Sequence, residues 1–295
     1  MTETIDQPRL FVGDVQGCAD EFDELIARAE GRFGSDFSLW LVGDLVNRGP
    51  DNRRPLERIR AFVEAGRGEF VLGNHEISLL SIGLGLRDLG PNDTIGDVLS
   101  APDAGEWLDW LRQRPLVASG YLGEQAFAMV HAAAEPGWTL AELVGMGRKI
   151  SARLSRSAAS ARSFLGLALE ADPLRDALGR ITRCRSLTRA GGWSSEEPES
   201  PEWAWHAEWL RRGHDYGLVY GHWARQGLHV AKGLRGLDTG CVHHGRGRDG
   251  FLTAWLPEAI RRADGGRPFD VPDDRFWQIR ARRKYYEPVP EPLRS

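Results

Sequence analysis

Cysteine is scarce: Cys18, Cys184 and Cys241 are the three in a chain of 295 residues, and they lie far apart. An odd number without local pairing excludes a disulfide framework and fits a reducing compartment, so a cytoplasmic protein is expected. Long apolar runs are also missing. No stretch reaches the ~18 residues of a membrane helix, and Met1–Arg9 is polar, without the apolar stretch of a secretion signal. A soluble chain without a membrane partner follows. Charge of one sign is not in excess either, and a formal net charge of -4 gives no overall electrostatic case for nucleic-acid binding. What is present is 41% hydrophobic residues, enough at this length for a substantial core. The expectation is one domain over 1–295 with an insertion.

The first third repeats one phrase: a short apolar run, a polar loop, then a helical pattern. Leu10-Phe11-Val12 runs into Gly13-Asp14, Leu39-Trp40-Leu41-Val42 into Gly43-Asp44, and Phe70-Val71-Leu72 into Gly73-Asn74-His75. Phe22, Leu25, Ile26 and Ala29 keep helical spacing in the first gap, and Leu56, Ile59, Phe62 and Val63 do so in the second, behind Pro55 in a first turn. This is a βαβαβ pattern and places the chain in the α/β class. Phe127–Val130 before His131 and Leu218–Tyr220 before Gly221-His222 read as two more strands, and Phe251–Leu256 as a later one. The stretch 136–215 is rich in Ala, Arg, Leu and Ser, with helical patterning over Ile150–Leu169 and Leu174–Leu187, and reads as a helical insertion; Gly191–Pro201 reads as a mobile loop. Pro288, Pro290 and Pro292 exclude regular structure from the end of the chain.

Functional groups of parallel α/β sheets gather beyond the carboxyl ends of the strands. Asp14, Gln16, Asp44, Asn74, His131 and His222 stand there. Carboxylate, amide oxygen and imidazole are the donors that a pair of divalent ions takes, with one carboxylate bridging them. Singly, each has a bland reading as a helix cap, turn residue or core histidine. Glycine before Asp14, Asp44, Asn74 and His222 tilts the balance, because it lets backbone approach a bound ion.

Gly13-Asp14-Val15-Gln16-Gly17, Gly43-Asp44-Leu45-Val46-Asn47-Arg48-Gly49-Pro50 and Gly73-Asn74-His75-Glu76, with His131 and His222, resemble the signature blocks of the calcineurin-like metallophosphoesterases. Gln16-Gly17-Cys18, Tyr220–Ala224 and Leu237-Asp238-Thr239-Gly240-Cys241 are similar to the symmetrical bis(5′-nucleosyl)-tetraphosphatases, which split diadenosine tetraphosphate into two ADP. The resemblance implies an αββα sandwich of two mixed sheets flanked by helices and attack by a hydroxide held on two divalent ions, manganese or cobalt. It implies that Asp14 and Gln16 hold the first ion, Asp44 bridges, and Asn74, His131 and His222 hold the second. It further implies His75 as general acid, with Arg48 as phosphate clamp and Arg48 and Asn74 as substrate contacts. Dinucleoside polyphosphates, and nucleotide-capped RNA ends, are the implied partners. The alternatives are a Ser/Thr or Tyr phosphoprotein phosphatase with the same centre and a catalytically weak scaffold that binds nucleotide or RNA.

Two positions depart from the broader pattern. Gln16 replaces the usual histidine with a weaker neutral donor. Asn47 stands where the related protein phosphatases have an aspartate supporting the catalytic histidine. An alkoxide leaving group is nearly as basic as hydroxide, whose parent water has pKa about 15.7, and needs a strong acid. A terminal phosphate, with pKa roughly 6, does not. Asn47 therefore favours an anhydride substrate.

The segment Arg148–Arg189 carries ten basic against three acidic residues, either a solvated face or an attraction for polyphosphate. Trp193, Trp203, Trp205 and Trp209 are expected to pack rather than stack on adenine. His243 and His244 are expected at the surface, and Cys18 in the core. His206, His214 and His229 show no usable pattern.

Overall fold

The computed structural model describes residues 7–257, 267–270 and 275–289. The expectations for Met1–Asp6, Pro290 and Pro292 lie outside the described residues. The strands are β1 (Arg9–Val12), β2 (Ser38–Leu41), β3 (Gly68–Phe70), β4 (Ala118–Leu122), β5 (Gln125–Met129), β6 (Ser186–Leu187), β7 (Trp193–Ser194), β8 (Gly217–Tyr220), β9 (His229–Ala231), β10 (Leu234–Gly236), β11 (Asp238–Thr239), β12 (Phe251–Trp255) and β13 (Phe276–Arg280). The α-helices are α1 (Ala19–Phe33), α2 (Arg53–Glu64), α3 (Asn74–Gly83), α4 (Gly96–Leu99), α5 (Ala104–Leu111), α6 (Leu140–Ser155), α7 (Ala158–Leu165), α8 (Pro173–Arg183) and α9 (Trp205–Arg212).

One sheet runs β11-β12-β1-β2-β3 with β13 beside β12; β1, β2 and β3 are parallel, while β12 is antiparallel to its three neighbours. The other runs β4-β5-β8-β10-β9, parallel through β5, β8 and β10 and antiparallel at both edges. The architecture is the expected α/β one: two mixed sheets with helices.

Alternation along each strand explains the layering, since successive side chains point to opposite faces. Phe11, Val42 and Val71 from the first sheet meet Phe127, Met129 and Val219 from the second in one cluster, with Phe11 edge-on to Phe127 at 5.3 Å. Leu10, Val12, Leu39 and Leu41 face the other way, toward Phe22, Leu25, Ile59 and Phe62 of α1 and α2. Strands buried on both faces read as continuous apolar runs, which is why these were visible in the sequence.

Between β5 and β8, which pair in parallel, the chain makes α6 to α9 and the short β6–β7 ladder. The helical stretch read over 150–169 breaks at Ser157, whose hydroxyl accepts the Ser160 N–H at 3.0 Å and starts α7 afresh. Leu187, read as helical, is in β6, and the segment expected to be a mobile loop contains β7. Among the described residues no helix is long and apolar enough to cross a membrane.

Candidate metal centre

The carboxyl ends of β1, β2, β3, β5 and β8 open on one crevice of about 710 Å³, lined by Gln16, Asp44, Asn74, His75 and His222 among others. Asp14 is buried at the end of β1, and the His222 N–H donates to its oxygens at 3.1 and 3.2 Å. Gln16 turns its amide toward Asp44, 3.4 Å away. Asp44 accepts the His75 backbone N–H at 2.9 Å and lies 3.4 Å from His131 Nε2. Asn74 opens α3 with its Oδ1 3.0 Å from the same Nε2. The six residues expected as metal ligands are thus drawn to one place, and the donor atoms of Asp44, His131 and His222 lie within 4.8 Å of one another.

Backbone strain concentrates here. Among the described residues the non-glycine positions with positive φ are Gln16 (46°), Asp44 (50°), Asn47 (78°), Arg48 (69°) and His222 (69°). Left-handed backbone costs such residues on the order of 1–3 kcal/mol each, and it persists where surrounding packing dictates it. Two of the preceding glycines serve close approach rather than a special φ. A Cβ on Gly73 would sit 2.2 Å from Asp44 Oδ1, and one on Gly221 2.1 Å from Asp14 Oδ1.

The donor set fits a cation. His131 Nδ1 faces the Val42 carbonyl at 2.9 Å and donates to it, so Nε2 carries the lone pair of the neutral ring. That atom faces the oxygens of Asn74 and Asp44; burial opposes a proton on it, but Asp44 outweighs burial and raises His131, so positive charge, whether a proton or a cation, is drawn to Nε2. Likewise His222 Nε2 donates to the Arg183 carbonyl at 3.1 Å, leaving Nδ1 as its lone-pair atom. Among the described residues, Asp14, Asp44 and Asp238 make no ion pair with lysine or arginine, although each is buried. Buried carboxylates converging without a lysine or arginine to neutralise them are satisfied by a divalent ion.

The electrostatics report the same crowding. Burial, then Asp238 and Asp44, push the Asp14 carboxyl well up; burial, with Asp44 nearby, lifts Asp238 to about 6. Asp44 goes the other way: burial opposes its charge, but His131 and His75 outweigh it and hold its carboxyl low. Burial lowers His222, helped by Arg185, and lowers His75 against the pull of Asp44.

His75 Nε2 lies 3.6 Å from Asp44 Oδ2, and its Nδ1 is 3.0 Å from Asn47 Nδ2. The Asn47 amide is oriented by its own bonds. Its Oδ1 accepts the backbone N–H groups of Arg48 and Thr94, both at 2.9 Å, so Nδ2 faces His75 and also donates to Asp93 Oδ1 at 2.8 Å. His75 Nδ1 is therefore an acceptor, and its ring proton sits on Nε2 in the neutral form. A carboxylate does stand behind His75, one hydrogen bond further than the sequence suggested: Asp93 is held by Arg87 at 2.9 Å.

Several functional neighbours escaped the sequence reading. Glu76 accepts four backbone N–H groups, from Asp44, Leu45, Val46 and Gly73, at 2.8–3.3 Å, and burial with Asp44 raises it to about 7. Its place in the Gly73-Asn74-His75-Glu76 block was the available signal; Asp238 likewise stood in a quoted block without a role. His243 lines the crevice rather than the open surface, pushed to about 4 by burial and by Arg246 and Arg248. His244 is also half-buried and accepts the Gly250 N–H at 3.1 Å. Of the basic segment, Arg185 reaches the crevice while Arg148, Lys149 and Arg153 are exposed on α6. Trp205 and Trp209 are core residues, and the aromatics at the crevice are Trp223 and Tyr286.

Fold and site together define a metallophosphoesterase. The calcineurin-like phosphoesterase family matches residues 8–147. The symmetrical bis(5′-nucleosyl)-tetraphosphatase of Ralstonia nicotianae is 34% identical over 260 residues, 81% of this chain and 87% of that one. The protein of that name from Burkholderia thailandensis is 34% identical over 82% of this chain and 89% of its own. A crystal structure described provisionally as a diadenosine tetraphosphatase superposes over 94% of this chain and 95% of its own, with TM-score 0.59 at 21% identity. A serine/threonine phosphatase from Saccharomyces cerevisiae shares the fold at TM-score 0.53 and 15% identity, over 99% of this chain and 83% of its own. The chain belongs to the calcineurin-like phosphoesterases, within the family of the symmetrical bis(5′-nucleosyl)-tetraphosphatases, and is an enzyme.

Proposed function

We propose that this enzyme hydrolyses dinucleoside tetraphosphates such as diadenosine tetraphosphate at the central anhydride, releasing two nucleoside diphosphates. The observation that carries the reading is the crevice itself: converging acceptors at its floor open directly onto Arg48, Arg185, Arg246 and Arg248 in a volume suited to a nucleotide-sized ligand. The names borne by the relatives point the same way.

Asp14 and Gln16 are assigned to one divalent ion, Asn74, His131 and His222 to a second, and Asp44 to both. Bound ions supply Lewis acidity toward phosphoryl oxygens and make water acidic enough to act as a nucleophile near neutral pH. Two imidazoles suit manganese or cobalt better than magnesium, which favours oxygen ligands. Arg48 presents a planar donor fork to a phosphoryl group, and Asn74 contributes a further polar contact. His75, neutral with its proton on Nε2, donates a hydrogen bond into the site but is a poor source of a proton. An anhydride releases a group already acidic and does not need one, whereas a phosphoprotein releases an alkoxide that does. This disfavours the phosphoprotein reading. Nucleotide-capped RNA ends contain the same kind of anhydride and remain a proposed second substrate class. Three free buried cysteines suit the proposed cytoplasmic setting.

Product analysis tests the proposal. With manganese and diadenosine tetraphosphate, ADP alone is expected. ATP plus AMP would replace the symmetrical reading with an asymmetrical one, and faster turnover of a phosphopeptide would reinstate the phosphatase.

A further inference from the structure

We infer that the loop 243–250 and the C-terminal tail build a second wall of the crevice that selects substrates by phosphate-chain length, with Arg246, Arg248 and Tyr286 as its specificity residues. The inference rests on the proposed function for the identity of the full substrate, but not for the chemistry of the wall.

The loop His243-His244-Gly245-Arg246-Gly247-Arg248-Asp249-Gly250 follows β11 and brings two arginines to the crevice. Its backbone closes on itself, the Gly245 N–H donating to the Arg248 carbonyl at 3.1 Å. From the other side the tail crosses after β13. Tyr285 anchors it through its hydroxyl to Glu21 at 2.7 Å, and Val289 exchanges two hydrogen bonds with the side chain of Asn92, at 2.8 and 2.9 Å. Asn92 also accepts from the Arg48 guanidinium through its carbonyl.

Between these anchors Tyr286 lies against two cations. The Arg48 guanidinium is 5.5 Å from its ring centroid and that of Arg246 is also 5.5 Å away, with the His243 ring at 6.0 Å. Both distances are within cation–π range. A ring held by two guanidinium groups keeps them apart and orients both beside the crevice. Among the described residues neither Arg246 nor Arg248 makes an ion pair, and the tail carboxylate Glu287 pairs with Lys284 at 2.8 Å. Arg48 pairs with Asp93 only at 3.8 Å, and Arg246 and Arg248 stand at the same crevice without an ion pair among the described residues, so an anion spanning the three guanidinium groups is attracted by all of them. Orthophosphate at the floor is served by Arg48; reaching Arg246 and Arg248 as well takes a linear chain of phosphates. The ligand class is therefore a polyphosphate of three or more units, free or esterified.

The experiment is titration calorimetry on the full chain with orthophosphate and tripolyphosphate, manganese being kept in excess over phosphate throughout. The wild type is expected to bind tripolyphosphate on the order of 100-fold more tightly than orthophosphate. Arg246→Gln and Arg248→Gln should each cut that ratio about tenfold, as expected for losing one charge-assisted arginine–phosphate contact. Tyr286→Leu should cut it in the same direction, while Tyr286→Phe, which keeps the ring face, should hold it within about twofold. An unchanged ratio in Arg246→Gln and Arg248→Gln overturns the inference, as does equal weakening of both ligands. Loss of the ratio in Tyr286→Phe as well overturns the role assigned to its ring face. Diadenosine tetraphosphate left intact by a wild type that keeps the ratio would reject the proposed function and support the wall; cleavage to ADP with the ratio unaffected by the variants would do the reverse.

Discussion

Asp44 receives the His75 N–H, faces His131 and sits under Gly73, so its carboxylate touches the start of α3 and the loop after β5. Asp44→Asn removes the one charge assigned to both ions. Manganese content measured by mass spectrometry should fall, and turnover should drop by orders of magnitude; two retained ions with near-normal turnover would refute the assignment. Asn47 makes a subtler case. From sequence alone, Asn47→Asp looks like a simple gain of support for His75. The structure changes that expectation, because Asp93 Oδ1 is 2.8 Å from Asn47 Nδ2 and two carboxylates there would repel. Asn47→Asp should therefore lower the melting temperature, while Asn47→Asp with Asp93→Asn should recover it. The double variant should also raise turnover of an alkyl phosphate ester relative to the anhydride by about tenfold, roughly 1.4 kcal/mol of barrier, as Nδ1 takes the proton and His75 becomes a better acid. An unchanged ratio of the two rates would detach Asn47 from the leaving group.

Glu76 ties two elements together. Its carboxylate collects N–H groups from the loop after β2 and from the start of α3, and so fixes where Asp44 and His75 stand relative to each other. Glu76→Gln puts an NH₂ against backbone donors in a fully buried place. It should cost about 2–4 kcal/mol in guanidinium unfolding of the metal-free protein, from lost bonds and stranded donors. A cost under about 0.5 kcal/mol would mean the loop is held otherwise. At this scale the strands β1, β2 and β8 were legible because both of their faces are buried and the apolar runs are unbroken. The division of 150–169 into two helices was not, since it turns on one serine hydroxyl that caps a helix in context and is ordinary in isolation.

Across the molecule, a half-buried histidine pair joins α9 to β9. His206 faces His229 with ring centroids 4.5 Å apart, accepts from Gln226 Nε2 at 2.7 Å and is packed by Trp205 and Trp223, while Tyr220 bonds His229 at 2.5 Å. Burial, then His229, lower His206 to about 4. The folded state thus holds it neutral where the unfolded chain takes up a proton below about pH 6.5. More protons on the unfolded state mean stability rising with pH, so the contribution is intact above that value. It is lost as pH falls toward 4, by about 1.4 kcal/mol per unit. Carboxylates with raised pKa act in the opposite sense, so the readout is a difference: urea unfolding of wild type and His206→Gln between pH 7 and 4.5 should diverge, the variant losing less. Parallel curves would exclude His206 as the source.

The sequence by itself showed the candidate ligands and the strands that carry them, because both follow from local order: apolar runs make buried strands, and the polar residue after each run falls at a strand's carboxyl end. The link between Asn47 and His75, which stand in separate blocks, came only from the resemblance to the protein phosphatases. Only the tertiary structure decided which side chains share a field. Asp93 stands 46 residues from Asn47, and Tyr286 is still further along the chain from Arg48, yet each pair is in contact. Such contacts depend on how loops and tail fold back over the sandwich, and a hydrogen bond or a stacked ring leaves no periodicity in the chain that makes it.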